Sequence, residues 1–170
     1  LLSGPQGRLL DAMLAVMDPV AFAMLFSQRV TAGQDTTQTM LSSGLLALLD
    51  HPVQLAALRD DPSRIPAAVE EIVRWANPLH YFRRTATADT VIGDTTIAAG
   101  DAVAMYYTSC NRDEDVFADS QAFDVTRTPN KHLGFGQAEH FCVGVHLARM
   151  EGRIFYEELL KRFTRLEQAG

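Results

Sequence analysis

Cysteine is scarce in this chain: Cys110 and Cys142 are the only two in 170 residues. Two cysteines cannot build a disulfide framework in a chain this long, so both thiols are expected to be free, in a reducing compartment such as the cytoplasm. Positive charge is short as well, with 15 Lys and Arg against 21 Asp and Glu and a net charge of −6. That balance excludes recognition of a phosphate backbone, which relies on clustered Lys and Arg, so no nucleic-acid partner is expected. No apolar run approaches the roughly 20 residues of a membrane-spanning helix, and no basic start precedes an apolar stretch, so no membrane segment is read. A starting Met is missing too. The chain opens at Leu1 and stops at Gly170 just after a helical segment. Residues 1–170 therefore read as a single partial domain whose N-terminal portion is absent.

What is present is enough for a core: 47% of the residues are hydrophobic and 21% charged. Asp18-Pro19 is an N-cap followed by Pro at the first helical position, and the apolar residues behind it run to about Leu49 before His51-Pro52 stops them. One long helix follows, about 45 Å at the usual rise, and its apolar composition on nearly every side predicts burial. Shorter helices are expected over 53–59 and 67–75, the second opened by Pro66 and closed by Asn77-Pro78. From Arg84 onward the pattern becomes strand-like. Thr90-Val91-Ile92, Gly93-Asp94 and Thr95-Thr96-Ile97 read as a hairpin, and 102–107 as a further strand of one small sheet. Residues 111–140 are irregular, with one helical turn over 113–117, and a last helix spans about 143–163 with Val143, Leu147, Met150 and Ile154 on one face. The fold class is mainly α with a small β-sheet.

The chemistry concentrates in Phe135-Gly136-Gln137-Ala138-Glu139-His140-Phe141-Cys142-Val143-Gly144. A cysteine at a helix start is favoured as thiolate by the helix dipole and backbone N–H groups, and a thiolate is a metal ligand. The glycines let the loop turn sharply and pass close to a flat cofactor, Phe135 can pack on that cofactor, and His140 can bond its carboxylates. A second constellation, Ala32-Gly33-Gln34-Asp35-Thr36-Thr37, places poor helix formers inside the long helix and predicts a local opening or bend beside Gly33. Asp35 beside Thr36 is an acid next to an alcohol, the pair that a proton relay needs. A third, Glu71-Ile72-Val73-Arg74, puts carboxylate and guanidinium on one helical face within bidentate reach.

Taken in order, these motifs resemble the cytochrome P450 family, the haem-thiolate monooxygenases, in the C-terminal portion of a bacterial-type member. The family's haem loop is Phe-Gly-x-Gly-x-His-x-Cys-x-Gly, and Leu147-Ala148-Arg149-Met150-Glu151 continues it. Ala138 stands where the family usually has Gly; if residue 138 needs φ > 0 its methyl group costs roughly 1 kcal/mol, too little to abolish ligation. The resemblance implies a long central helix, a Glu-x-x-Arg helix, a hairpin sheet, a meander, the Cys loop and a final helix. It implies haem b (iron protoporphyrin IX) bound through Cys142, with Phe135, Gly136, Gly144, Ala32 and Gly33 around it and Arg84 and His140 on its propionates. Glu71 and Arg74, with Arg127 as the third member, would brace the loop, and Asp35 and Thr36 would deliver protons to dioxygen. Val30, Leu79, His80, Tyr81 and Phe82 would line the pocket of an apolar substrate, a lipid, sterol or alkyl chain. Electrons would come from a ferredoxin or similar donor, with Lys131, Arg149 and Arg153 as a candidate basic patch for it.

Two other readings are kept. His140, Cys142 and His146 fall within seven residues and offer three ligands to zinc. Cys142 and His146 are a helical turn apart, but His140 would have to double back, and no acid is placed as a base. The other reading is a non-catalytic helical module or an inactive fragment, whose long helix would leave apolar surface uncovered.

Overall fold

The computed structural model describes the backbone of residues 5–168 and the side chains of residues 11–168. Leu1 and Gly170, the first and last residues of the sequence, lie outside the described residues. Two compact units divide at Asp35 and Thr36.

The first unit contains α1 (Pro5–Val16), which carries no strong capping signal in the sequence, and the opening of α2 (Pro19–Asp50). Asp18 caps α2 as its sequence predicts, its Oδ1 accepting from the Val20 and Ala21 N–H groups at 2.9 and 3.2 Å. Phe22 and Phe26 stack one turn apart, 6.3 Å between ring centroids. Two expectations for α2 fail. The helix runs through Gly33 and both threonines without a break in its helical pattern. It is also not buried along its length: Val20, Met24, Phe26 and Val30 are exposed, and its buried residues are Met40, Gly44, Ala47 and Leu48. Composition marks a helix that tolerates an apolar environment on any side; burial depends on what faces it, and only its last third has a partner surface within its own unit.

The second unit is built around α4 (Ile65–Ala76), reached through α3 (Pro52–Asp60) and a short 3₁₀ turn at Pro62–Arg64. Ile65, Ala68, Val69, Ile72 and Val73 recur at helical spacing and are all buried, so α4 shows the core one continuous apolar stripe. It packs against α6 (Val145–Arg162), which buries Val145, Gly152 and Tyr156. Gly44 permits close approach where α2 meets this pair. A Cβ there would stand 2.3 Å from the Tyr156 hydroxyl and 2.4 Å from Ile72 Cγ2, closer than atoms can pack. The Tyr156 hydroxyl donates to Leu41 O at 2.8 Å, and burial pushes this phenol up, so it remains a donor. The apolar face noted in the sequence, Val143, Leu147, Met150 and Ile154, is the exposed side of this region.

Four strands form two separate antiparallel pairs, where one small sheet was expected. β2 (Thr90–Ile92) and β3 (Thr95–Ile97) are the hairpin read from the sequence, turned at Gly93. β4 (Ala102–Tyr106) pairs instead with β1 (Tyr81–Thr85), a strand without turn signals at its start, and Arg84 lies opposite Val103. The four-residue α5 (Tyr107–Cys110) follows. The expected turn over 113–117 exists as a short turn, with Val116 N–H and Phe117 N–H both donating to Asp113 O at 3.2 and 2.8 Å. Among the described residues no single helix is long and apolar enough to cross a membrane; α2 and α3 pass that test only as a pair, bent by 104°.

Candidate functional site

The irregular stretch between α5 and α6 holds its shape because one buried ion cluster collects its backbone. Glu71 and Arg74 on α4 are both fully buried. Arg74 Nε and Nη2 donate to Glu71 Oε2 and Oε1, each at 2.7 Å, the bidentate geometry expected from their spacing. The remaining Arg74 donors reach Asn111 O, Ser120 O and Ala122 O, each at 2.8 Å. Glu71 also accepts from Arg127 Nε at 3.1 Å, Asn130 Nδ2 at 3.0 Å and Asp124 N–H at 2.9 Å. Arg127 in turn donates to Ala118 O, Asp119 O and Ala122 O. The structure thus brings Glu71, Arg74 and Arg127 together. A loop without helix or strand would otherwise leave these carbonyls unpaired, and every Arg74 N–H is used to prevent it.

A second tie comes from the end of α4. Asn77 takes the left-handed conformation at the C-cap, φ 42°, and its side chain accepts from Asn111 Nδ2 at 2.8 Å. Asn111 Oδ1 accepts from Leu133 N–H at 2.7 Å, one residue before Gly134 opens the Cys loop. The sequence marks Asn77-Pro78 as the end of the helix, but nothing local to Asn77 or Asn111 marks the two as partners.

The Cys loop turns on two left-handed residues. Gly136 has φ 72°, and a Cβ there would crowd His140 O at 3.1 Å. Ala138, the departure from the family pattern, has φ 55°, so its methyl group is held in the region expected to strain it. Residues Ala138–His140 form a 3₁₀ turn, and the Cys142 N–H then donates back to Phe135 O at 2.8 Å. Cys142 precedes the helix instead of starting it: α6 begins at Val145 with Gly144 at its N-cap. A Cβ on Gly144 would lie 3.9 Å from Cys142 Sγ, an ordinary van der Waals contact, so the space beside the sulfur does not itself require glycine there. Both cysteines are free and half-buried. Phe141 and Val143, on either side of Cys142, are exposed apolar groups.

The loop sits against the β1 region through Tyr107, whose hydroxyl lies 3.7 Å from the Cβ position of Gly136 and whose ring is 5.6 Å from that of Phe82. Leu79, Tyr81 and Phe82 are exposed apolar side chains, and the His80 carbonyl accepts from Tyr107 N–H at 2.9 Å. Arg84 is half-buried, 5.7 Å over the Phe82 ring, with Nη1 on Arg83 O. Among the described residues no carboxylate pairs with Arg84, and His140 is exposed. On α2, Val30, Ala32, Gly33 and Asp35 are exposed and Thr36 half-buried.

These residues fit haem. One sulfur donor on a tightly turned loop suits a metal whose remaining ligands come from a macrocycle, exposed Phe141 and Val143 offer apolar surface, and Arg84 and His140 remain available to anionic groups. They do not fit zinc: among the described residues no group of three His, Cys, Asp or Glu gathers at metal-ligand distance, so His140, Cys142 and His146 do not converge. The basic patch is also weaker than its sequence suggests. Arg149 is committed to Glu70 at 2.7 Å and Arg153 to Glu157 at 3.6 Å, leaving Lys131 exposed.

Glu70 was not anticipated. Burial pushes its carboxyl up, and hydrogen bonds from His132 and Arg149, with the Arg149 charge, more than reverse this, taking it from 4.5 to about 2. Because the folded value is depressed, the stability this group supplies is fully present above pH 4.5 and is lost as pH falls toward 2. Glu70→Gln is expected to flatten the acid limb of stability in that window, read as urea midpoints against pH; an unchanged slope would reject it.

The sequence pattern described as cytochrome P450 matches residues 64–169. Cytochrome P450-terp of a Pseudomonas species is 46% identical over 140 residues, 82% of this chain and 33% of that protein. The methyl-branched lipid omega-hydroxylase of Mycobacterium bovis is 47% identical over 142 residues, 82% of this chain and 33% of that protein. Among solved structures, Mycobacterium marinum cytochrome P450 CYP268A2 in complex with pseudoionone superposes with a TM-score of 0.84 at 46% identity, over 86% of this chain and 36% of that one. The chain spans about a third of the length of these relatives. Its Glu-x-x-Arg cluster, its turned Cys loop and its backbone course all lead to one assignment: the chain belongs to the cytochrome P450 family.

Proposed function

We propose that this chain forms the haem-thiolate portion of a monooxygenase that inserts one atom of dioxygen into an apolar organic substrate. The observation that carries the reading is Cys142, an unbridged sulfur on a loop fixed by left-handed Gly136 and Ala138 and by the Cys142 N–H to Phe135 O bond. Haem b bound there would supply dioxygen activation, which thiolate ligation promotes. Cys142 would be the ligand, Phe135 and Gly136 shape its loop, Gly144 stands at the N-cap of α6 beside it, and Arg84 and His140 would hold the propionates. The family resemblance gives Ala32 and Gly33 on α2 to the surroundings of the cofactor. The Asp35 and Thr36 side chains would form the proton relay.

Val30, Leu79, His80, Tyr81 and Phe82 would face the substrate, and their apolar character favours lipid, terpenoid or alkyl compounds. The lipid hydroxylase and the pseudoionone complex among the relatives support that class. The electron donor is a small acidic carrier such as a ferredoxin, drawn in part by Lys131; reduction insensitive to salt would count against it. A reducing compartment, the cytoplasm, suits the two free thiols, and recovery of the protein in a secreted fraction would count against that.

The deciding experiment is the carbon-monoxide difference spectrum of the haem-loaded, reduced protein. A thiolate band is expected, and its absence would overturn the reading. Thr36→Ala tests the proton path: oxygen and reductant are still consumed while product yield falls and hydrogen peroxide rises, the fall being at most the roughly 10²–10⁴-fold that a proton-transfer group typically contributes. Unchanged product per reductant would remove Thr36 from the relay.

A further inference from the structure

Two neighbouring carboxylates on α4 serve different segments. Glu71 is fully buried and gathers the irregular loop, whereas Glu70, 24% exposed, faces the Cys loop and α6. Glu70 Oε1 and Oε2 accept from Arg149 Nε and Nη2, each at 2.7 Å, a bidentate pair between α4 and α6. Glu70 Oε2 also lies 3.2 Å from His132 Nε2. The His132 side chain is almost wholly buried, 3% exposed, and its Nδ1 accepts from Gly134 N–H at 3.1 Å. With Nδ1 occupied as an acceptor, Nε2 carries the proton and donates it to Glu70.

Both partners of Glu70 touch the same ring. The Arg149 guanidinium carbon is 5.0 Å from the centroid of Phe135, and the His132 ring is 5.6 Å from it. Phe135 is half-buried against the core, and its carbonyl receives the Cys142 N–H at 2.8 Å. An unbroken path therefore runs from the Glu70 carboxylate through two oriented side chains to the Phe135 ring, and from the Phe135 carbonyl to the backbone of the sulfur-bearing residue. A guanidinium over a ring face is attracted by the ring's negative face, and its planar fork can meet the carboxylate and cover the ring at once.

We propose that Glu70 is a positioning residue for the cysteine ligand: by orienting Arg149 and His132 it fixes the Phe135 ring and with it the Phe135 carbonyl that holds the Cys142 amide. The role rests on the haem-thiolate reading for its consequence and on the observed contacts for its mechanism. A side chain two contacts removed from the sulfur thereby sets how firmly the sulfur is placed.

The test compares Glu70→Gln and Arg149→Lys with the unsubstituted protein, all haem-loaded. Gln cannot receive a charge-assisted bidentate pair, while Lys keeps the charge and loses both the fork and the stacking. Amide hydrogen exchange across residues 133–142 is expected to rise about tenfold in both variants, with the buried amides of α4 and α6 unchanged, as for a local opening. The carbon-monoxide spectrum should lose part of its thiolate band and the haem reduction potential should shift. Arg149→Lys behaving like the unsubstituted protein would leave charge alone responsible and overturn positioning, as would unchanged exchange in Glu70→Gln. Should Glu70→Gln not fold, Arg149→Lys carries the same comparison alone. Failure of the haem reading would show in the unsubstituted protein as a missing thiolate band, whereas failure of this proposal shows only between variants.

Discussion

Arg74→Ala is expected to cost about 3–5 kcal/mol of stability, the range for breaking a buried ion pair from one side. Removing the guanidinium leaves the Glu71 carboxylate fully buried with Arg127, Asn130 and the Asp124 amide as its remaining partners. It also orphans Asn111 O and Ser120 O, each of which accepts from Arg74 Nη1 at 2.8 Å, while Ala122 O keeps Arg127. Each buried, unsatisfied carbonyl adds a desolvation cost of about 1–3 kcal/mol if water does not reach it. The measurement is a shift of the urea midpoint at unchanged slope, with Arg64→Ala as the comparison. Arg64 pairs with Asp61 at the same spacing of three residues, but both side chains are 44% exposed, so its loss should cost no more than about 1 kcal/mol. Equal midpoints for the two variants would mean that burial contributes nothing to the Glu71–Arg74 pair, and the account of the loop would fail.

The contrast between those two pairs also shows where sequence reasoning stops. Spacing alone put carboxylate and guanidinium within reach in both cases; it could not say that one pair lies under the loop and the other faces water. The helices over 19–50 and 65–76 and the hairpin at Gly93 were legible because caps, periodicity and turn residues are local signals. Strand β1 was not, because Tyr81–Thr85 follows the Asn77-Pro78 stop without a turn signal and is fixed by its pairing with β4. The Cys loop was readable as a motif, whereas the left-handed conformation at Ala138 entered the sequence reading only as a condition. The loop's support by Glu70 was not readable, since His132 and Arg149 lie 62 and 79 residues away in the chain and nothing local marks them as partners. Exposure of the first half of α2 was foreseen only in the fragment reading, for a related reason: an apolar helix surface says what it tolerates, and the facing surface decides whether it is covered.

Cys142→Ser is expected to abolish the thiolate band of the haem-loaded, reduced protein while changing its folding stability by no more than about 1 kcal/mol, the scale of an ordinary substitution outside the packed core. The two effects separate because the sulfur and the backbone of this residue do different things. The loop is held by the Cys142 N–H on Phe135 O and by the Cys142 carbonyl, which accepts from Val145 N–H at 3.3 Å; serine keeps both. The Sγ is half-buried and, among the described residues, neither bridged nor hydrogen-bonded, so the fold loses no contact that depends on sulfur. A serine hydroxyl is far less acidic than a thiol and does not replace a thiolate as a soft ligand to iron. Cys110→Ser provides the control. That thiol lies on the four-residue α5 and has no place in the loop, so the band should survive its removal. Persistence of the thiolate band in Cys142→Ser and its loss in Cys110→Ser would reverse the ligand assignment. A large loss of stability in Cys142→Ser would show instead that the sulfur helps to hold the loop, contrary to the contacts described here.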